Sequence, residues 1–200
     1  MIADKMTAML RRPMRAWAAG AGTLLFATLC ATLSIPAAGQ GERSLERGVK
    51  AAFLYKFAGY VEWPAGALPA ADAPIVIAVA QEAALADELE RIVPGRRIDN
   101  HPIVVRRLRE GDSLAGIQIL FIGAGDRGRT ASLVRAAQPH PLLVVTEIDN
   151  GLALGSGINF VLHEGRVRFE ASPEAVERSG LKLSSRLLSV ASNARMGTAQ

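Results

Sequence analysis

From Val49 onward the apolar residues recur with helical spacing. Val49, Phe53, Leu54, Phe57, Ala58, Tyr60 and Val61 fill about half the circumference of a helix at about 100° per residue. The spacing predicts a helix through Trp63, ended by Pro64, because proline pushes the residue before it away from α geometry. Tyr55 falls on the other side, amid the small residues Gly48, Ala51, Ala52 and Gly59, so a second element can approach closely there. Ala65–Pro74, rich in Ala and Pro, reads as a connecting stretch.

Short apolar strands then alternate with helices. Ile75–Val79 is a strand, and Glu82–Val93 a helix with Leu85, Leu89 and Ile92 on one side, stopped by Pro94-Gly95. Ile103–Leu108 and Ile117–Ile122 read as strands, Arg129–Ala137 as a helix and Leu142–Thr146 as another buried strand. Continuous apolar runs between helices imply a mainly parallel sheet covered on both faces. Near the end the period drops to two. Ile158, Phe160 and Leu162 share one face and Val167, Phe169 and Ala171 the matching face of a returning strand, with Glu164-Gly165 as the turn of a β-hairpin. Pro173–Arg178 and Ser184–Ser192 read as closing helices, with Gly180 as a break between them. The expected fold is a single α/β domain: a mainly parallel sheet flanked by helices, with a C-terminal antiparallel hairpin.

What precedes the first helix changes the reading of compartment and charge. Lys5, Arg11, Arg12 and Arg15 form a basic start, a small and apolar run extends from Ala16 to Ile35, and Pro36-Ala-Ala-Gly39 supplies small residues for cleavage. Residues 1–40 are therefore read as a cleaved signal peptide, residues 41–200 as the α/β domain, and the destination as the periplasm. Four of the 23 Lys and Arg and one of the 19 Asp and Glu fall in that leader, leaving 19 positive against 18 negative charges. The pI of about 9.7 is then mostly a leader effect, which removes the electrostatic case for a nucleic-acid partner. The only cysteine, Cys30, leaves with it, so the remaining chain holds no disulfide or thiolate metal site. About 160 residues suffice for a proper core.

Several motifs invite an enzymatic reading. Gly123-Ala-Gly125-Asp-Arg-Gly128 follows a strand and opens a helix, and Glu147 lies nineteen residues past Gly128, as a dinucleotide fingerprint requires. Asp126 would repel pyrophosphate, however, and the strand is not the first of the sheet. A glycine-lined turn needs no ligand. Ser179-Gly-Leu-Lys182 matches Ser-x-x-Lys but lacks the Lys-Thr-Gly strand of that chemistry. His101, His140 and His163 have no metal-ligand spacing. No catalytic residue, cofactor or metal is expected. The hairpin does set Arg166, Arg168 and Glu170 on the face opposite Phe169, and Ser184-Ser185-Arg186 opens the last helix. Arg166, Arg168 and Arg186 are thus candidates for holding an acidic ligand.

Three blocks also carry a family resemblance. Lys50-Ala-Ala-Phe-Leu-Tyr-Lys-Phe-Ala-Gly-Tyr-Val-Glu-Trp-Pro64 resembles the opening helix of the YfiR family. Gly155–Glu170 is similar to its Gly-Gly-x-Ile-x-Phe hairpin with an Arg-Phe-Glu return. Ser179-Gly-Leu-Lys-Leu-Ser-Ser-Arg-Leu-Leu-Ser-Val-Ala191 is similar to its terminus, and Leu120-Phe-Ile122 and Leu142–Thr146 to two of its sheet strands. The match runs from Val49 to Ala191. Gly155-Ser156-Gly157 replaces the family's double glycine, Ala171-Ser172 its Ile-Asn, and Lys56 a common Asn. Some members carry disulfide-forming cysteines; this chain after its leader has none, which removes redox control.

The resemblance implies a regulatory binding protein that is not an enzyme. It would bind the periplasmic region of a membrane-bound diguanylate cyclase and hold it inactive, lowering cyclic di-GMP and biofilm output. Release would come through a second partner, typically an outer-membrane lipoprotein. Tyr55, Tyr60 and Trp63 are the candidate anchors for the cyclase, and the small-residue side of the first helix is a candidate homodimer contact. The rival readings are an exported small-molecule sensor using Arg166, Arg168 and Arg186, and a dinucleotide-dependent enzyme.

Overall fold

The computed structural model describes residues 38–68, 70 and 72–193. The leader assignment falls on residues outside these, except that 38–40 already belong to the first helix. The chain runs α1 (Ala38–Phe57), β1 (Val61–Glu62), β2 (Ile75–Ala80), α2 (Ala83–Ile92), β3 (Arg97–Ile98) and β4 (His101–Arg107). There follow β5 (Ile119–Ile122), α3 (Arg127–Ala137), β6 (Leu143–Thr146), a 3-10 turn (Leu152–Leu154), β7 (Ile158–His163) and β8 (Arg166–Ala171). Then come α4 (Pro173–Arg178), β9 (Lys182–Leu183) and α5 (Ser185–Leu188).

Among the described residues seven strands form the main sheet in the order β3-β4-β2-β5-β6-β7-β8. β4, β2, β5, β6 and β7 are parallel, and β3 and β8 are antiparallel at the two edges. This is the expected mixed α/β architecture with its antiparallel hairpin. Every residue of β2, β5 and β6 is buried, as strands covered on both faces require. One face takes Ile75, Ile77, Val79, Ile119, Phe121, Leu143 and Val145 under α1 and α2. The other takes Val76, Ala78, Leu120, Ile122 and Val144 under Val134 and Ala137 of α3.

Five phenylalanines tie α1 to the sheet. Phe57 of α1 stacks on Phe53 and on Phe160, Phe53 lies tilted against Phe160, and both α1 rings meet Phe169 edge-on, with ring centroids 5.2–6.1 Å apart; Phe160 lies 6.2 Å from Phe121. Each such pair adds about 0.5–1.5 kcal/mol beyond the area it buries. The turn Glu164-Gly165 has φ of +49° and +70°, the left-handed pair that a two-residue I′ hairpin needs. A Cβ on Gly157 would lie 2.6 Å from Val176 Cγ2 and 3.0 Å from Leu143 Cδ1, so only glycine lets α4 close over the start of β7.

Two expectations are corrected. The first helix stops at Phe57, well before Trp63. The Gly59 and Tyr60 amides turn back to the Lys56 and Phe57 carbonyls (3.0 and 2.9 Å), and Val61–Glu62 pairs antiparallel with Lys182–Leu183. A distant strand thus overrides the helical period, helped by the weak helix former Gly59. The helix expected over Ser184–Ser192 is interrupted: α5 holds Ser185–Leu188, and Ser192 and Asn193, helical again, turn their side chains to β8, donating to the Phe169 and Ala171 carbonyls. The small-residue side of α1 is occupied by α2 of the same chain. Ala51 is fully buried, and a Cβ on Gly48 would lie 3.5 Å from Glu88 Oε1. Close approach occurs as expected, and the element that approaches there is α2 of the same chain.

Candidate functional site

The apolar stripe of α1 continues toward its N-terminus as a polar one. Arg43, Glu46, Arg47 and Lys50 follow the i, i+3, i+4, i+7 spacing of one helix face, one turn before Phe53 and Leu54. The apolar half of α1 sits on the sheet, whereas this polar half stands beyond the strands' carboxyl ends and walls a cleft of about 900 Å³. Glu82 after β2, Ala124 after β5, Glu147 after β6 and Asn159 of β7 line its other sides. The chain leaves β2 toward β4 on one side, while β5 lies on the other. The cleft therefore opens at the reversal of strand order, where parallel α/β sheets commonly take ligands, and its volume is that of small-molecule sites.

A buried ion cluster forms its inner wall. Lys50 Nζ donates to Glu147 Oε2 and Glu46 Oε1, both at 2.5 Å. The Lys50 and Glu147 side chains are only 12% and 10% exposed. Burial pulls the ammonium's pKa down, but the hydrogen bonds and charges of Glu147 and then Glu46 together outweigh it. The pKa is held above the ordinary lysine value. Lys50 stays charged at neutral pH and is unsuited to act as a base or an amine nucleophile. Beneath it, Thr146, Ser156 and Asn159 are buried and bonded to one another. Asn159 Oδ1 accepts from the Thr146 hydroxyl (2.8 Å) and the Ile148 amide (3.2 Å), and the Thr146 and Ser156 hydroxyls are 2.9 Å apart. Ser156, the residue inserted between two glycines, thus serves the buried network.

The glycine-rich turn is filled by the chain itself. Gln81, with φ +63°, accepts from the Asp126 amide (3.1 Å) and donates to Thr130 Oγ1 (2.8 Å). Glu147 Oε1 takes the Ala124 amide at 3.1 Å, and Asp126 Oδ1 the Arg129 amide at 2.6 Å. A Cβ on Gly125 would lie 2.7 Å from Gln81 Oε1, and one on Gly123 2.6 Å from Glu82 Cβ. The glycines admit Gln81 and Glu82, not a pyrophosphate. Glu147, spaced to hold a ribose, is committed to Lys50. A dinucleotide would meet taken amides and two carboxylates, so this turn does not fit it. Among the described residues no group of three or more His, Cys, Asp or Glu is placed to hold a metal ion.

The arginines and aromatic residues chosen from the sequence as ligand and partner contacts lie outside this cleft. Arg166 and Arg168 are exposed on one face of β8, opposite His163 and Val161, and Arg186 is exposed on α5. None of the three lines the cleft. The Ser184 hydroxyl already takes the Leu187 amide at the start of α5 (3.3 Å). Tyr55, Tyr60 and Trp63 are all half-buried against the core. The Arg96 guanidinium carbon lies 5.2 Å from the Tyr55 ring centroid, and Trp63 Nε1 donates to the Ala58 carbonyl at 3.3 Å. Arg43, Glu46, Arg47 and Lys50 were missed as a site, although their spacing on the α1 face was readable. What the sequence hid was that this half of the helix overhangs the sheet.

Compared with known protein families, residues 47–192 match the family model described as YfiR/HmsC-like. That range runs from Arg47, within the polar face of α1, through α5. No curated protein matches the chain.

Proposed function

Because the chain belongs to the YfiR/HmsC-like family, whose members are regulatory rather than catalytic, we propose that it is an exported regulator of cyclic di-GMP signalling. It binds the periplasmic sensor region of an inner-membrane diguanylate cyclase and holds the enzyme inactive, and an outer-membrane lipoprotein relieves the block. The observation that carries this reading is the family match across the whole α/β domain. The chemistry of the cleft agrees with it, since its inner cation is neutralised by two carboxylates. Repression requires that the protein prefer one sensor conformation. Moving the sensor from mostly active to mostly inactive takes a preference of about 10⁴, or roughly 5.5 kcal/mol, which a protein surface with aromatic anchors can supply. Tyr55, Tyr60 and Trp63, each half-buried against the core, are the proposed anchors. The test is cellular cyclic di-GMP after gene deletion, complemented with the full-length or the leaderless protein. A rise reversed only by the full-length form supports repression from the periplasmic side; an unchanged level refutes it.

The cleft favours a second reading, that of a small-molecule sensor. Its arginines are Arg43 and Arg47 rather than those on the hairpin and α5. An acidic ligand bound there raises the melting temperature of the wild-type protein but not of Arg43→Ala/Arg47→Ala. No shift with a panel of carboxylates and phosphates dismisses this reading.

A further inference from the structure

β8 is an outer edge of the sheet, and its turn settles which backbone groups face outward. In a two-residue hairpin the pair next to the turn, His163 and Arg166, is hydrogen-bonded, and bonded pairs then alternate. The N–H and C=O groups of Val167, Phe169 and Ala171 therefore point away from β7. Among the described residues only one end of this row is covered. Asn193 takes the Ala171 amide (3.2 Å) and donates to the Ala171 carbonyl (2.8 Å), and the Ser192 hydroxyl donates to the Phe169 carbonyl (2.7 Å). Both backbone groups of Val167 and the Phe169 amide have no partner among the described residues. An edge left open in this way templates a further strand.

The side chains around the opening have an alternating character. Arg166 and Arg168 are exposed on one face with no ion pair among the described residues. On the other face Leu162 is 59% exposed and its partner Val167 is half-buried. We propose that the open end of β8 is a docking edge for an extended partner segment in which acidic and apolar residues alternate. The segment adds a strand beside Gly165–Phe169, with its carboxylates against Arg166 and Arg168 and its apolar residues beside Leu162 and Val167. A second copy of this chain is a poorer occupant. Antiparallel pairing about Val167 sets Arg166 against Arg168, and pairing about Arg168 sets that residue against itself, where like charges repel. If the partner is the cyclase sensor, the inference rests on the repressor reading; the edge itself does not.

The probe is a short fluorescent peptide alternating Glu with Val, with an alternating Lys and Val peptide as control, added to the purified protein. The acidic peptide is expected to bind and to slow hydrogen exchange at the Val167 and Phe169 amides. Arg166→Glu/Arg168→Glu, an exposed double variant that leaves the β7 ladder intact, is expected to weaken binding about tenfold or more. No binding at millimolar peptide, binding without protection of those two amides, or binding indifferent to the charge reversal overturns the proposal. So does peptide-free protection that grows with protein concentration, which would give the edge to a second copy. In cells the same variant should raise cyclic di-GMP as deletion does. If deletion itself changes nothing, the repressor reading falls while the peptide experiment still decides the edge.

Discussion

Replacing Lys50 with Met keeps the aliphatic stem of the side chain and removes the ammonium that Glu147 and Glu46 share. Glu147, 10% exposed, is then left with the Ala124 amide as its one hydrogen bond. Removing one partner of a fully buried ion pair costs about 3–5 kcal/mol because the other charge stays desolvated. Glu46 is 28% exposed and the cleft admits water, so the cost here is lower, about 2–3 kcal/mol. For a domain of this size that corresponds to a drop of roughly 4–12 °C in Tm. Glu147→Gln should recover most of the loss in the double variant, since a neutral amide needs no counter-charge and still accepts from Ala124. A coupling of about 1 kcal/mol or more is expected in the double-mutant cycle, measured by urea unfolding. The pH dependence follows from the raised pKa of Lys50. A folded-state value above the unfolded one, about 10.4, gives a contribution that is complete below that range. It is lost as pH rises through the folded-state value. The stability gap between wild type and Lys50→Met should stay flat through neutral and mildly alkaline pH and close only above it. A cost under about 0.5 kcal/mol, within the range of an ordinary surface change, would refute the account, as would additive single and double variants.

Other outcomes follow from the packing and the bonded amides. Gly157→Ala drives a methyl into Val176 and Leu143 and should cost about 1–3 kcal/mol, read as a lower urea midpoint with an unchanged slope. Asn193→Ala should speed hydrogen exchange at Ala171, whose amide it frees, and leave Val145 in the sheet centre protected. NAD or NADP at millimolar concentration should leave Tm unchanged, because Gln81 and Glu147 hold the Asp126 and Ala124 amides; a clear rise with either would contradict that assignment.

Much of the sheet was legible because its signals are local. Continuous apolar runs at Ile75, Ile119 and Leu143 and the strict alternation across Glu164-Gly165 each need only neighbouring residues to be read, and the structure places strands there. The strand ends shifted by a residue or two. Leu142 and Gln118 are buried without being in the ladder, and Gln118 instead caps β2 through the Val76 amide at 2.8 Å. The arginines chosen as an acidic-ligand set were chemically reasonable, but exposure and separate elements keep them out of the cleft. Arg43, Arg47 and Lys50 share one helical face that the sequence shows, yet a helical wheel does not reveal where a helix runs off the end of its sheet.

By itself the sequence determined the order of the longer strands and of the helices, the hairpin with its register, and the aromatic face that α1 turns to the core. These follow from side-chain periodicity and turn chemistry within a few residues. The tertiary structure alone decided that α1 stops at Phe57, since Val61–Glu62 finds its partner some 120 residues away at Lys182–Leu183. It alone turned a dinucleotide-like glycine turn into a seat for Gln81, and joined Lys50 to Glu147 across 97 residues of chain. Long-range pairing outweighs local preference wherever a strand partner or a counter-charge offers more free energy than another turn of helix. That balance is set by which segments the fold brings together.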